Sequence, residues 1–123
     1  MKREVMIVDD DPSILFTVRK ILEREGFEVA TAGNGRECLE KLKRGFKGVI
    51  LMDITMPGMD GWDTIRAIIG EGYIEKNVFA ISMLTAREAP DQKMEGLQEY
   101  VIGYITKPFE PAQLVASVKK YFV

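Results

Sequence analysis

Five short apolar stretches, separated by longer amphipathic stretches, set the pattern of this chain. Two are wholly apolar and two more have a single hydroxyl residue at their end, which is typical of strands buried on both faces of a sheet. The second is more polar, so we predict that it lies at an edge. The five predicted strands are Val5–Val8, Phe27–Ala32, Val49–Met52, Val78–Ser82 and Tyr104–Thr106.

The intervening segments place apolar residues at the spacing of one helix face. The first predicted helix starts at Pro12 with Asp11 as its N-cap, and Gly26 ends it. Asn34 and Asp60 are the predicted caps of the second and third helices. The fourth helix, from about Glu88 to Gln98, has only a thin apolar stripe, and the fifth starts at Pro111.

Strands alternating with helices predict an α/β fold, a parallel sheet with helices on both faces and right-handed crossovers. For five strands the expected arrangement is the flavodoxin-like, doubly wound (βα)5 fold, with strand order 2-1-3-4-5. We expect one domain over residues 1–123. In this order strands 1 and 3 are neighbours, so Asp9, Asp10 and Asp53 should meet in one cleft at the carboxyl ends of the strands.

The composition limits the kinds of function that the chain can have. The net charge of -2, without any basic run, argues against a nucleic-acid surface, and no apolar stretch approaches the roughly 20 residues of a membrane span. The single cysteine, Cys38, cannot form a disulfide within the chain, which suits a reducing, cytoplasmic setting. We predict that its side chain lies in the core. The chain has no histidine, which excludes Ser-His-Asp and Cys-His catalysis within it.

Asp53 follows a buried strand and precedes a segment rich in turn formers, Thr55-Met56-Pro57-Gly58. Alone, such an aspartate is more often a turn residue. Together with Asp9 and Asp10, however, it would form a cluster of repelling carboxylates that needs a positive partner. A hard divalent cation such as Mg²⁺ fits these ligands, and Lys107 can reach inward from the end of strand 5.

A site that combines these acids with a metal, a lysine and the Thr85 hydroxyl could bind a phosphoryl group. Asp53 would be the nucleophile that accepts it. Each piece also has a simpler interpretation: Asp9-Asp10 as a solvated turn, Thr85 as a helix cap, Lys107 as a surface lysine. The conjunction favours the site, because every one of these groups follows a predicted strand at its carboxyl end.

Four motifs carry a resemblance to a known family. They are Met6-Ile7-Val8-Asp9-Asp10-Asp11, Asp53-Ile54-Thr55-Met56-Pro57-Gly58-Met59-Asp60-Gly61, Leu84-Thr85-Ala86 and Tyr104-Ile105-Thr106-Lys107-Pro108-Phe109. In this order and spacing the chain resembles a response regulator receiver domain of two-component signalling, over essentially its whole length.

The resemblance implies that Asp53 accepts a phosphoryl group from a sensor histidine kinase or phosphotransfer protein. It implies that Mg²⁺ is bound by Asp9, Asp10, Asp53 and the backbone carbonyl of Thr55. By the same resemblance, Lys107 pairs with the phosphoryl group, and its bond to Pro108 is cis. Thr85 and Tyr104 would form the switch pair, with the tyrosine ring turning inward behind Thr85.

The implied output surface comprises strand 4, helix 4, strand 5 and helix 5, read by a downstream protein target or a fused output domain. Family members commonly have Gly-Ala after helix 4, where this chain has Tyr100-Val101-Ile102. The lost glycine leaves the end of that helix open. The added apolar surface favours a homodimer or a partner contact through helix 4, strand 5 and helix 5. Alternatively, Tyr100 packs on its own domain.

Two other functions compete with this interpretation. A phosphohydrolase with an aspartyl nucleophile would typically have a second acid two residues later, where Thr55 stands. We therefore expect no enzyme, beyond catalysis of the domain's own phosphorylation and dephosphorylation. The remaining alternative is a phosphorylation-independent interaction module of the same fold, against which the complete set of site residues argues.

Overall fold

The predicted sheet is present: five parallel strands in the order β2-β1-β3-β4-β5. The computed structural model describes residues 3–74, 76–86 and 95–122. The more polar second strand lies at an edge, as its sequence indicates. The strands are β1 (Glu4–Val8), β2 (Glu28–Ala32), β3 (Gly48–Asp53), β4 (Val78–Thr85) and β5 (Gly103–Thr106).

Four α-helices lie in the described ranges, and they cover both faces of the sheet. They are α1 (Pro12–Arg24), α2 (Gly35–Lys43), α3 (Gly61–Gly70) and α4 (Pro111–Lys119), the last being the predicted fifth helix. One short 3-10 helix lies between β4 and β5, at Gln98–Tyr100, and another directly follows α4, at Lys120–Phe122. Within these ranges no helix combines the length and apolar character needed to cross a bilayer.

The helices begin where the sequence predicts, because short polar side chains satisfy their first backbone N–H groups. The Asp11 carboxylate accepts from the Ser13 N–H at 2.9 Å, ahead of α1. Asn34 caps α2 in the same way. At α3, Asp60 and Asp63 form a reciprocal capping box. Two of these caps lie in the loops that carry the candidate site, so they fix the course of those loops.

The core has two layers, one on each face of the sheet. Helices α2 and α3 pack on one face, where Cys38 and Trp62 are buried. Helices α1 and α4 pack on the other, through residues such as Val18 and Leu114. Burial raises the pKa of the Cys38 thiol to about 12, so Cys38 is a packing residue, as predicted, and the thiol stays protonated at neutral pH.

The predicted helix from Glu88 to Gln98 is wrong at its C-terminal end. Residues 87–94 lie outside the described ranges, but residues 95–97 form a turn and Gln98 begins a 3-10 helix. Gly96 has φ +81°, a left-handed conformation that ends an α-helix. Tyr100 is half-buried against the layer of α2 and α3, which matches the second of the two interpretations above, whereas Ile102 is exposed.

Candidate functional site

The three predicted carboxylates meet at the carboxyl ends of β1 and β3. Asp9, Asp10 and Asp53 each place one carboxylate oxygen within 4.8 Å of the others. The side chains of Asp9 and Asp53 are buried, with 1% and 6% of the residue exposed, whereas Asp10 is exposed. The adjacency of β1 and β3 in the sheet causes this convergence, as the predicted strand order requires.

Lys107 places its ammonium between the two buried carboxylates. Its Nζ donates to Asp9 Oδ2 at 2.7 Å and lies 3.2 Å from Asp53 Oδ1. The lysine follows β5, and its backbone N–H donates to the Thr85 carbonyl at 2.7 Å. The Lys107–Pro108 bond is cis, as predicted. Residues from β1, β3 and the end of β5 therefore share one charged cluster.

Its surroundings make the Asp53 carboxyl group harder to ionise than an ordinary aspartate. Burial of its carboxyl group and the nearby charge of Asp9 raise the pKa of Asp53 to about 6. The ammonium of Lys107 and the backbone N–H of Thr55 act in the opposite direction, but they offset only part of the increase. The site therefore favours added positive charge beside Asp53.

Lys107 itself stays charged. Burial alone would lower the pKa of its ammonium, but the hydrogen bond to Asp9 and the charge of Asp53 outweigh burial and raise that pKa above its ordinary value. At neutral pH the lysine is therefore a fixed positive charge between the two buried carboxylates.

Asp9 is held from both sides. Its Oδ1 accepts from the backbone N–H of Asp11 at 2.9 Å, while its Oδ2 accepts from Lys107. Its own N–H donates to the Ala32 carbonyl at 3.1 Å. The sequence identifies Asp9 as a candidate ligand but gives no sign of this local turn, because the bond depends on the direction of the carboxylate.

The two predicted switch residues lie in different environments. Thr85 ends β4 and is buried, one position beyond Leu84, which is the β4 residue paired with Asp53. Tyr104 is 47% exposed. The structure therefore brings Thr85 to the same edge of the sheet as Asp53, and it holds the tyrosine in a solvent-accessible position.

Gly61 is a further site residue that the sequence prediction missed. A Cβ at this position would lie 2.4 Å from the backbone carbonyl oxygen of Asp53. The Gly61 N–H donates to the Ile54 carbonyl at 2.9 Å, so α3 begins directly against the strand end that carries Asp53. The Asp60-Gly61 pair after a turn is a visible signal, but the close approach needs the folded loop.

The donor set fits a hard divalent cation. Three carboxylates, two of them buried, provide the oxygen ligands that Mg²⁺ prefers, and one exposed ligand leaves access for water. A cation here would also relieve the repulsion that raises the pKa of Asp53. The Thr55 backbone carbonyl follows two residues after Asp53 in an exposed loop, where it could complete the ligand set.

Comparison with known proteins agrees with this geometry. The family model described as response regulator receiver domain matches residues 5–119. A transcriptional regulatory protein for alkaline phosphatase synthesis from Bacillus subtilis, PhoP, is 34% identical over 119 residues, which cover 97% of this chain and 48% of PhoP. The chain thus spans about half the length of the curated relatives it matches.

Solved structures show the same fold. A CheY-like response regulator receiver domain protein from Methanospirillum hungatei is 52% identical, with a TM-score of 0.90 over 98% of this chain and 94% of that one. The chemotaxis protein CheY4 of Vibrio cholerae is 33% identical, with a TM-score of 0.87 over 98% of this chain and 99% of its own. Both similarities extend over nearly the full length of each chain.

Proposed function

The chain belongs to the response regulator receiver domain family of two-component signalling, and on that premise we propose that Asp53 is its phosphoacceptor. The phosphoryl donor would be a phosphohistidine on a sensor histidine kinase or phosphotransfer protein. We further propose that the reaction requires Mg²⁺, and that residues 1–123 act as one receiver domain.

One observation carries this proposal. The Lys107 ammonium lies between the carboxylates of Asp9 and Asp53, and a third carboxylate, that of Asp10, stands within 4.8 Å of both. A purely structural ion pair would need one acid for one lysine. The surplus of negative charge supports a site that binds a cation and then a phosphoryl group.

Each residue has a role in the proposed transfer. An Asp53 carboxylate oxygen attacks phosphorus, the new P–O bond replaces the P–N bond of the donor, and the imidazole leaves with the electron pair. Mg²⁺ held by Asp9, Asp10, Asp53 and the Thr55 carbonyl would supply positive charge to the phosphoryl oxygens. Lys107 pairs with the same oxygens, which requires it to leave the Asp53 carboxylate as that group is phosphorylated.

The switch follows from the added charge. A phosphoryl group brings nearly two negative charges and three acceptor oxygens to the end of β3. We propose that Thr85 donates to one of these oxygens and that the Tyr104 ring then turns inward. This movement would bias the output surface of β4, the segment that follows it, β5 and α4 toward a second conformation.

The wider role remains that of a regulator, not of a classical enzyme. We propose that the domain catalyses only its own phosphorylation and dephosphorylation, and passes the signal to a downstream protein target or a fused output domain. Direct nucleic-acid binding is not expected of this domain, since its net charge is -2. A homodimer through the output surface and a cytoplasmic location complete the proposal.

The experiment that tests it is intact-mass analysis after incubation with acetyl phosphate and Mg²⁺. We expect one added phosphoryl group that hydroxylamine removes, as for an acyl phosphate, and no adduct in EDTA. Asp53→Asn should abolish the adduct. Asp11→Asn is the matched control, because Asp11 lies close in sequence to the cluster and asparagine caps a helix equally well.

Two outcomes would contradict the proposal. Wild-type protein without a Mg²⁺-dependent adduct would favour the phosphorylation-independent interaction module. An adduct of equal yield in Asp53→Asn would place the acceptor on another residue.

A further inference from the structure

A partly buried hydrogen bond ties the C-terminal end of the described chain to β4. The Tyr121 hydroxyl, in the 3-10 helix Lys120–Phe122, donates to the Ser82 hydroxyl at 3.2 Å. Ser82 is completely buried on the face of the sheet covered by α1 and α4. Its neighbours on that face of β4, Ala80 and Leu84, belong to the apolar core layer. The polar pair therefore stands in an otherwise apolar layer.

The hydroxyl pair reaches over β5 at a glycine. In the sheet Gly103 is the β5 partner of Ser82. A Cβ on Gly103 would lie 2.8 Å from the Tyr121 hydroxyl and 3.3 Å from Ser82 Oγ. The absence of a side chain at this position is thus what lets the tyrosine approach the serine. Three elements, β4, β5 and the C-terminal 3-10 helix, meet at this point.

This contact joins the two strands that carry the proposed switch residues. Ser82 stands three residues before Thr85 on β4, and Gly103 immediately precedes Tyr104 on β5. Hydrogen bonds between hydroxyls have oxygen–oxygen distances of about 2.5–3.0 Å, and a contact of about 3.6 Å is no longer one. At 3.2 Å the Ser82–Tyr121 bond is already long, so a displacement of β4 or β5 by a few tenths of an ångström is enough to break it.

We propose that Ser82 and Tyr121 are positioning residues whose hydrogen bond, formed across Gly103, stabilises the unphosphorylated arrangement of β4 and β5. This inference rests on the proposed function of Asp53. Phosphorylation would draw Thr85 and Tyr104 inward and lengthen the Ser82–Tyr121 contact, releasing the C-terminal 3-10 helix. A variant without the bond loses its stabilisation of the unphosphorylated arrangement. By linkage, phosphorylation of that variant must become more favourable by the factor with which the bond had stabilised that arrangement.

A merely structural role does not explain the pair as well. Packing in an apolar layer is served equally by two apolar side chains of similar shape, since replacing both partners of a buried hydrogen bond can be nearly neutral. A hydroxyl pair differs in one respect: its energy depends on a narrow range of distance, so it distinguishes two nearby positions of the strands.

The test measures the apparent affinity for beryllofluoride, a phosphoryl mimic, at fixed Mg²⁺. Binding is followed by Trp62 fluorescence and by the amide NMR signals of Thr85 and Tyr104. We expect Tyr121→Phe and Ser82→Ala each to bind about 2- to 10-fold more tightly than wild type, the range that corresponds to one hydrogen bond. The double variant should gain no more than either single variant, because both remove the same bond.

Tyr73→Phe is the matched control, since Tyr73 packs in the opposite core layer, and its affinity should equal that of wild type. Gly103→Ala is an independent geometric probe. Its methyl group would displace the Tyr121 hydroxyl, so it should tighten binding in wild type but not in Tyr121→Phe, where that hydroxyl is gone.

Unchanged or weaker beryllofluoride binding in both Tyr121→Phe and Ser82→Ala would overturn the inference, even if these variants are less stable to denaturant. That result is distinct from failure of the proposed function. If wild-type protein gave neither beryllofluoride binding nor an acyl-phosphate adduct, the function of Asp53 itself would be wrong.

Discussion

At the scale of single residues, Asp53 shows how a buried carboxyl group beside a second acid lowers the stability of the fold. Burial and the charge of Asp9 raise its pKa to about 6, whereas an unfolded aspartate titrates near 3.9. The folded protein therefore holds a proton that the unfolded chain has released between these two pH values. Over that window the free energy of unfolding falls as pH rises, and above pH 6 the loss is complete.

Replacing the acid by an amide should remove this loss. We expect metal-free Asp53→Asn to be more stable than wild type by about 2–3 kcal/mol at pH 8, because the neutral amide avoids the cost of ionising a buried carboxyl group beside Asp9. Near pH 4 the two proteins should be equally stable, since the Asp53 carboxyl is then largely protonated. Urea denaturation in EDTA at several pH values measures the difference.

Asp11→Asn serves as the control, because the Asp11 side chain is exposed and the new residue caps α1 as well as the old one. Its stability should follow that of wild type across the range. If Asp53→Asn were less stable than wild type at pH 8, the ion pair with Lys107 would outweigh the cost of burying the Asp53 carboxylate.

The sequence could predict which residues meet at the site, but not how they bind. Asp9 and Lys107 each follow a strand and Asp53 ends one, and parallel strands bring their carboxyl ends to one edge. That Lys107 bonds to both acids depends on side-chain direction in the folded cluster. The same is true of the Asp11 N–H that binds Asp9, and of the Ser82–Tyr121 pair.

At the scale of elements, helix starts were predictable because their signals are local. Asp11, Asn34 and Asp60 satisfy N–H groups two or three residues away, so the relevant contacts are contained in the sequence itself. The end of the predicted fourth helix was not predictable in this way. Gly96 has a left-handed conformation through which an α-helix does not continue, whereas the family resemblance pointed to the missing glycine at 100–102.

Helix α3 offers a matched pair of glycines that tests how closely it approaches Asp53. Gly61→Ala should destabilise the protein by about 2 kcal/mol or more, because the new methyl group would lie 2.4 Å from the Asp53 carbonyl oxygen and the backbone must shift. The same shift should reduce the yield of the acyl-phosphate adduct. Chemical denaturation and intact mass measure the two effects.

Gly70→Ala is the control at the other end of α3, where a Cβ would meet nothing within 4 Å. It should be neutral or stabilising by up to about 1 kcal/mol, as for alanine in place of glycine in a helix. Equal stability of the two variants would mean that the loop after Asp53 adjusts to the new methyl group without lowering the free energy of unfolding.

At the scale of the whole molecule, the order of strands was the most predictable feature. Five repeated strand–helix units allow few topologies once crossovers are right-handed, and β1, β3 and β4 each carry a run of buried apolar residues, as central strands must. The balance of charge between the acids and Lys107 at the cleft does not follow from strand order. Lys107 lies 98 positions from Asp9 in the chain, and only the closed sheet brings them together.

That long-range contact gives the last prediction. In EDTA, Lys107→Met should lower the free energy of unfolding by about 2–3 kcal/mol, because it keeps the apolar stem but leaves the buried carboxylates of Asp9 and Asp53 without their cation. Saturating Mg²⁺ should recover much of this loss, since the metal replaces the missing positive charge. Mg²⁺ should therefore stabilise the variant more than wild type.

Lys119→Met separates this effect from the loss of any lysine. Its ammonium pairs with Glu25 at 2.9 Å, but both side chains are well exposed, so the change should cost less than about 1 kcal/mol and should not depend on Mg²⁺. If Mg²⁺ stabilised Lys107→Met and wild type equally, the lysine and the metal would not be sharing the same carboxylates. Equal responses would then place the cation away from Asp9 and Asp53, and the charge surplus at the cleft would need another partner.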